Sequence, residues 1–233
     1  MRLILVRHGE PDYAKDCLTP TGWKQARAAA ERLRREGITE ICSSSMGRAL
    51  ETAAPTAEML GLPIRKLDFM REISWGGEGI PDEGHPWTLA ARMIAEENFD
   101  FQTRDWRDHP FFRDNLATAY YDRVSAQFDA LMREWGYTHE GRRFLCGEDT
   151  RKNVALFFHG GSGGCVLSSL LGLPFPYVLA VMPYDFTTVI ILNFPDSPGE
   201  YVFPRLELFN DIGHLHAGPS DPRIQQTVDS AVP

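Results

Sequence analysis

Long apolar runs are absent. No uninterrupted stretch of this chain is long enough to cross a bilayer, so no membrane-spanning segment is expected. The N-terminus enters a strand-like run at once, without an extended apolar leader, so no secretory signal is expected either. Cysteine is scarce: Cys17, Cys42, Cys146 and Cys165 form no CxxC pair and no zinc-type spacing, which points to reduced, buried thiols. Positive charge is in deficit as well. A formal net charge of −8 over 233 residues argues against nucleic acid or an anionic membrane as the main partner. An anionic small molecule in a locally cationic pocket stays open. Internal repeats and low-complexity linkers are also missing. What remains is expected to be a soluble, cytoplasmic chain, and its 43% hydrophobic content suffices for a sizeable core.

Residues 3–7 read as a buried strand. "LTPTGWKQARAAAERLRREG" reads as a helix with Thr19 as N-cap, Pro20 in the first turn and Gly37 as the stop. "ITEICSSS" then reads as a strand, 46–60 as a helix kinked or broken at Pro55, and "IRKLDFM" as a third strand. This alternation predicts an α/β fold, a three-layer sandwich whose mostly parallel central sheet is flanked by helices. The pattern changes at "SWGGEGIPDEGHPWT", 74–88, after which helices are expected at about 88–98 and 112–136. Strand pattern resumes at 153–159, followed by a helix at about 164–171 and apolar runs at 187–194 and 201–209. The economical architecture is one domain, 1–233, interrupted by a helical cap at about 76–150. In the second of these helices Phe112, Leu116, Tyr120, Val124, Phe128, Leu131 and Trp135 mark one face, which reads as core packing. Trp87, Phe111 and Phe112 also fall at the edges of the inserted helices, where they are expected to line a pocket mouth.

Three segments put unusual polar residues at strand ends: Arg7-His8-Gly9-Glu10, Ser43 to Arg48, and His159 with the "GGSGG" that follows it. In an open α/β sheet, ligands collect at the carboxyl ends of strands. Two histidines and two arginines at equivalent ends suit phosphoryl transfer, because cations and backbone donors must await the charge on the equatorial oxygens. A neutral imidazole attacks phosphorus, and neighbouring arginines keep it neutral. Gly9 would let backbone and substrate approach, and the turn starting at Gly160 would expose amides to an anion.

"LVRHGE", "SSSMGRALETA", "MREISWGGEG", "FFHGGSGG" and "FNDIGHL" resemble, in that order, the blocks of the histidine phosphatase (phosphoglycerate mutase-like) superfamily, over roughly 1–78 and 153–216. The resemblance implies a phosphohistidine at His8, phosphoryl oxygens held by Arg7, Arg48 and His159, and Glu72 as proton donor. Glu78 matches a second acid of structural or secondary role, and Glu83 is a further acid of the same loop. Two departures stand out. "EPDYAKD" has no asparagine where such proteins often touch phosphate, so Tyr13 or backbone donors are candidates to replace it. "REISWGG" also lacks the ERHYG-type pattern of mutases, which favours hydrolysis. The implied enzyme is a phosphomonoesterase acting on a small phosphorylated metabolite without metal or cofactor, as a monomer or a homodimer.

Rival readings use other residues. "GGSGG" satisfies the G-x-S-x-G of a serine hydrolase, with Ser162 followed by Asp185 or Asp196 and then His214. "HLH", 214–216, would suit a metal site, and a phosphate-binding module without catalysis would use the same pocket. Neither the hydrolase nor the metal site explains Arg7, His8 and Arg48 together.

Overall fold

Alternation of apolar side chains along the strands decides the layering. The computed structural model describes residues 1–148 and 150–215, apart from the side chains of Asp82 and Glu83. In chain order its elements are β1 (Arg2–Arg7), the short hairpin β2 (Pro11–Asp12) and β3 (Cys17–Leu18), α1 (Pro20–Leu33), β4 (Glu40–Ser44), α2 (Gly47–Leu60) and β5 (Ile64–Leu67). There follow α3 (Pro86–Ala95), α4 (Leu116–Glu134), β6 (Tyr137–Glu140), β7 (Arg143–Cys146), β8 (Asn153–Phe158), α5 (Gly160–Leu171) and α6 (Phe175–Val181). The last elements are β9 (Val189–Asn193), β10 (Tyr201–Val202) and β11 (Arg205–Asp211). In β1 and β8, Leu3, Leu5, Leu156 and Phe158 join a cluster with α4 and α5. Ile4, Val6, Ala155 and Phe157 join another with α1 and α2. Three layers result, as the strand–helix alternation predicts.

The six strands run in the order β11-β9-β1-β8-β4-β5. β1, β8, β4 and β5 pair in parallel, and β9 runs antiparallel to both β1 and β11. The chain leaves β1, builds β4 and β5, and returns to insert β8 between β1 and β4. Four adjacent parallel strands therefore end at one edge of the sheet, and β9 begins there.

Several boundaries differ from expectation. Pro55 lies inside an unbroken α2. "IRKLDFM" is strand only to Leu67, and Asp68–Met70 turns as a 3₁₀ segment that redirects the chain toward Glu72. α5 begins at Gly160 rather than near 164, so "GGSGG" is the first turns of a helix, not a loop. Packing explains the glycines: a Cβ on Gly161 would overlap Ile73, and one on Gly163 would overlap the Phe158 ring. Residues 76–150 are not purely helical, because β6 and β7 form a hairpin that pairs with β10. Phe112, expected at a pocket mouth, is instead fully buried in the core cluster that the sheet shares with α4. No single helix among the described residues is long and apolar enough to cross a membrane.

Candidate active site

β1 ends at Arg7 and hands the chain to His8, which is 1% exposed. Its Nδ1 lies 2.8 Å from the Gly9 carbonyl oxygen. In the tautomer that donates there, Nε2 carries the lone pair, and it faces Arg48 Nε at 3.4 Å. The close approach that Gly9 permits is to helix α1, since a Cβ there would stand 2.9 Å from Gly22 O. The Gly9 amide donates to Thr52 Oγ1 and Thr52 Oγ1 donates to Arg48 O, so the His8 loop is tied to α2.

Arg48 occupies the first turn of α2, just past the end of β4, and is 4% exposed. Its Nη1 meets Asp16 Oδ1 at 2.6 Å, and Asp16 Oδ2 accepts from the Gly47 amide. Asp16 does this from a left-handed conformation, φ 51°, in the turn between β2 and β3. Tyr13 is exposed; its ring lies 5.4 Å from the Arg48 guanidinium carbon and 6.5 Å from the His8 ring. Arg7 donates through Nη1 to Tyr184 O at 2.6 Å and lies over the Phe186 ring. Its Nε is buried without a hydrogen-bond partner among the described residues. Buried polar groups are nearly always paired, so this donor marks a place for an acceptor.

His159 follows β8 directly. Its ring centroid is 5.1 Å from that of His8, and Nε2 lies 2.8 Å from Ser44 Oγ. Glu72 reaches the same place from β5. Its Oε1 accepts from the amides of Gly161 (2.8 Å), Ser162 (3.1 Å) and Ile73 (3.0 Å). A Cβ built on Gly160 would be 3.6 Å from Glu72 Oε2, 3.9 Å from Arg7 Nη2 and 3.5 Å from Trp87 Cζ2. Around Gly160, then, the carboxylate, a cation and an indole share one small space. Tyr184 links them, donating from its hydroxyl to Gly160 O.

The electrostatics follow from burial. Desolvation, reinforced by Arg7 and Arg48, lowers His8 from its ordinary 6.5 to about 3. Desolvation and the charge of His8 also push His159 far down. Burial raises the Glu72 carboxyl above the ordinary carboxylate range, although three backbone amides and Arg7 oppose the shift. At neutral pH His8 is therefore a neutral imidazole with a lone pair beside two guanidiniums, and Glu72 keeps its proton to higher pH than an ordinary glutamate.

These shifts predict a pH dependence of folding. The folded-state value of His8 lies below its unfolded one, so the unfolded chain takes up the proton first as pH falls. The stability this contributes is complete above the ordinary value and declines toward the folded one. Unfolding in phosphate-free buffer between about pH 6.5 and 4 should show a shallower loss for His8→Ala than for wild type, by up to ~1.4 kcal/mol per pH unit. Parallel slopes would mean that His8 is not desolvated as described.

Other expected residues fall elsewhere. Glu78 is exposed and makes no hydrogen bond or ion pair among the described residues. Ser162 is fully buried, its Oγ accepting from the His159 amide at 3.4 Å, and His214 Nε2 contacts Thr187 Oγ1 at 3.1 Å rather than a serine. His216 and the Glu83 side chain lie outside the described residues. Phe111 packs edge-on against His109, with ring centroids 4.5 Å apart. Ser44, which contacts His159, falls within the polar segment 43–48 that the sequence singles out, whereas Asp16 and Tyr184 hold the site together without a local sequence signal.

Residues 3–205 match the model of the histidine phosphatase superfamily (branch 1). The chain belongs to that superfamily. A probable phosphoglycerate mutase of Enterobacter sp. (strain 638) is 27% identical over 236 residues, covering 95% of this chain and 98% of that protein. Among solved structures, a mycobacterial glucosyl-3-phosphoglycerate phosphatase superposes with a TM-score of 0.60 at 25% identity, covering 90% of this chain and 98% of its own. The phosphoserine phosphatase of Entamoeba histolytica, solved with 3-phosphoglyceric acid, gives 0.62 at 20% identity over 92% of this chain and 98% of its own, a likeness of fold. This histidine phosphatase is thus an enzyme of the phosphomonoesterase type, and its nucleophile candidate stands in the RHG block that opens the matched region.

Proposed function

We propose that the protein hydrolyses small phosphomonoesters through a phosphohistidine, without a metal. The observation that carries this reading is the buried, neutral His8, whose Nδ1 is held by Gly9 O while Nε2 faces Arg48. His8 Nε2 attacks phosphorus as the ester P–O bond breaks, and Glu72 passes its proton to the departing oxygen. Arg7, Arg48, His159 and the amide of Gly160 take the equatorial oxygens. Water then attacks phosphorus, giving its proton to the Glu72 carboxylate, while the P–N bond breaks, its electron pair returns to His8 Nε2 and inorganic phosphate leaves. Two guanidiniums supply the positive charge that metal ions supply in other phosphoryl-transfer sites. Of residues 76–150, the part around Trp87, whose ring lies against Gly160, would roof the pocket and select the alcohol, whereas the β6–β7 hairpin packs at the opposite end of the sheet, with Tyr137 against Met1 and Phe194.

Transfer of the phosphoryl group to a second alcohol, as the mutase names of relatives suggest, is the second reading. Rapid quench of wild type with substrate should trap an acid-labile, base-stable phosphoenzyme. Product analysis should then find free phosphate, with turnover unchanged by a chelator and blocked by vanadate. An acid-stable adduct, or activity abolished by the chelator, would overturn the proposal. Rearranged ester in place of free phosphate would favour the mutase.

A further inference from the structure

Beside the pocket stand three aromatic rings that the phosphoryl chemistry does not use. Trp75, His85 and Trp87 are mutual neighbours: Trp75–Trp87 at 5.8 Å and 84°, Trp75–His85 at 5.4 Å and 76°, and His85–Trp87 at 5.4 Å and 44°. Trp75 is 37% exposed, whereas Trp106 and Trp135 are buried in the core at 6% and 1%. Trp87 ties the cluster to the chemistry, because its Cζ2 and Glu72 Oε2 both come within 3.6 Å of the Cβ position of Gly160.

The wall is held in place before any ligand arrives. Asn115, 3% exposed, caps α4 with Oδ1, which accepts from Ala117 N and also from Gly76 N at 3.1 Å. Its Nδ2 donates to Gly84 O at 3.1 Å. Gly76 adjoins Trp75 and Gly84 adjoins His85, so one buried amide staples together the two strands of loop that carry the rings. The backbones touch so closely that a Cβ on Gly84 would overlap Gly76, and both glycines have positive φ (99° and 74°). Such preorganisation is costly to build and unnecessary for packing an exposed tryptophan.

We infer that this wall is a subsite for the leaving alcohol, and that the alcohol carries a flat ring. The inference rests on the phosphomonoesterase reading and adds a substrate class to it. The phosphoryl group sits against Arg7, the proton arrives from Glu72, and the departing oxygen extends toward Trp87. Two indoles set nearly perpendicular form a corner in which a planar ring meets one face and one edge at once. A short acyclic alcohol reaches only part of it. Stacking on aromatic faces adds about tenfold in affinity beyond what area alone supplies.

The test uses two non-hydrolysable probes that share a two-carbon arm and differ by the phenyl ring, 2-phenylethylphosphonate and ethylphosphonate, titrated calorimetrically. Wild type should bind the aryl probe about tenfold or more tightly. That ratio should collapse toward one in Trp75→Ala and be largely retained in Trp75→Phe. Equal affinities in wild type, or a ratio that survives Trp75→Ala, would overturn the subsite. Hydrolysis of ethyl phosphate, measured alongside, separates the two readings. If it proceeds while the probes bind equally, the subsite alone falls; if it is absent and neither probe binds, the phosphatase reading falls and the subsite with it.

Discussion

His8→Ala is expected to lower kcat/KM for every phosphomonoester by on the order of 10⁴-fold or more, the scale seen when a covalent nucleophile is deleted. The protein should remain folded, because the lost contacts are few. Nδ1 gives up one bond to Gly9 O, whereas the backbone of the same loop stays tied by the His8 amide to Phe158 O and by the Gly9 amide to Thr52 Oγ1. Arg7 and Arg48 are unaltered, so phosphate should still bind, and more tightly if the imidazole blocks part of its place. Circular dichroism, phosphate titration and a phosphoenzyme assay on one preparation check these points. A folded variant that binds phosphate and turns over at more than a few per cent of wild type would remove His8 from the covalent role. Such a result would leave the neighbouring His159 to be tested next.

How far the site could be read from the chain depended on how local each relation is. Arg7, His8 and His159 lie within one residue of a strand end, so strand prediction alone places them together once β1 and β8 are taken as parallel neighbours. Arg48 lies four residues past the end of β4, at the second position of α2, and was legible from the polar segment that links the two. Asp16 was not, because its carboxylate reaches Arg48 only through a left-handed residue between two-residue strands too short to announce themselves. Tyr184 was not, because its two bonds, to Arg7 and Gly160, span long chain separations. "GGSGG" misled for a physical reason. Glycine has poor helix propensity, yet here the helix must pass within contact of Ile73, Phe158 and Leu179, which no larger residue allows. Phe112 carried two signals: the helical stripe it shares with Val124, Phe128, Leu131 and Trp135 read as core, as found, and only its place at the edge of the inserted segment pointed to the rim.

The remaining large effect concerns the acid. Glu72→Gln preserves the shape of the group, and its amide oxygen can still accept from the Ile73, Gly161 and Ser162 amides that now bind Oε1. What disappears is the proton at the Oε2 position, beside Gly160 and Arg7. A general acid contributes roughly 10²–10⁴-fold where the leaving oxygen is basic. Nitrophenolate leaves almost unaided, whereas an alkoxide does not. With phosphorylation rate-limiting, kcat/KM for an alkyl phosphate should therefore fall by that amount in the glutamine variant, and far less for nitrophenyl phosphate. Glu78→Gln serves as the comparison, since Glu78 is exposed on the loop and unbonded among the described residues. Glu83→Gln completes the set. Equal losses on both esters at position 72, with a leaving-group-dependent loss at 78 or 83, would transfer the proton to that residue. The raised carboxyl pKa of Glu72 sharpens the expectation: its acid form persists to higher pH than in an ordinary glutamate, so the difference between the two esters should narrow as pH rises through it.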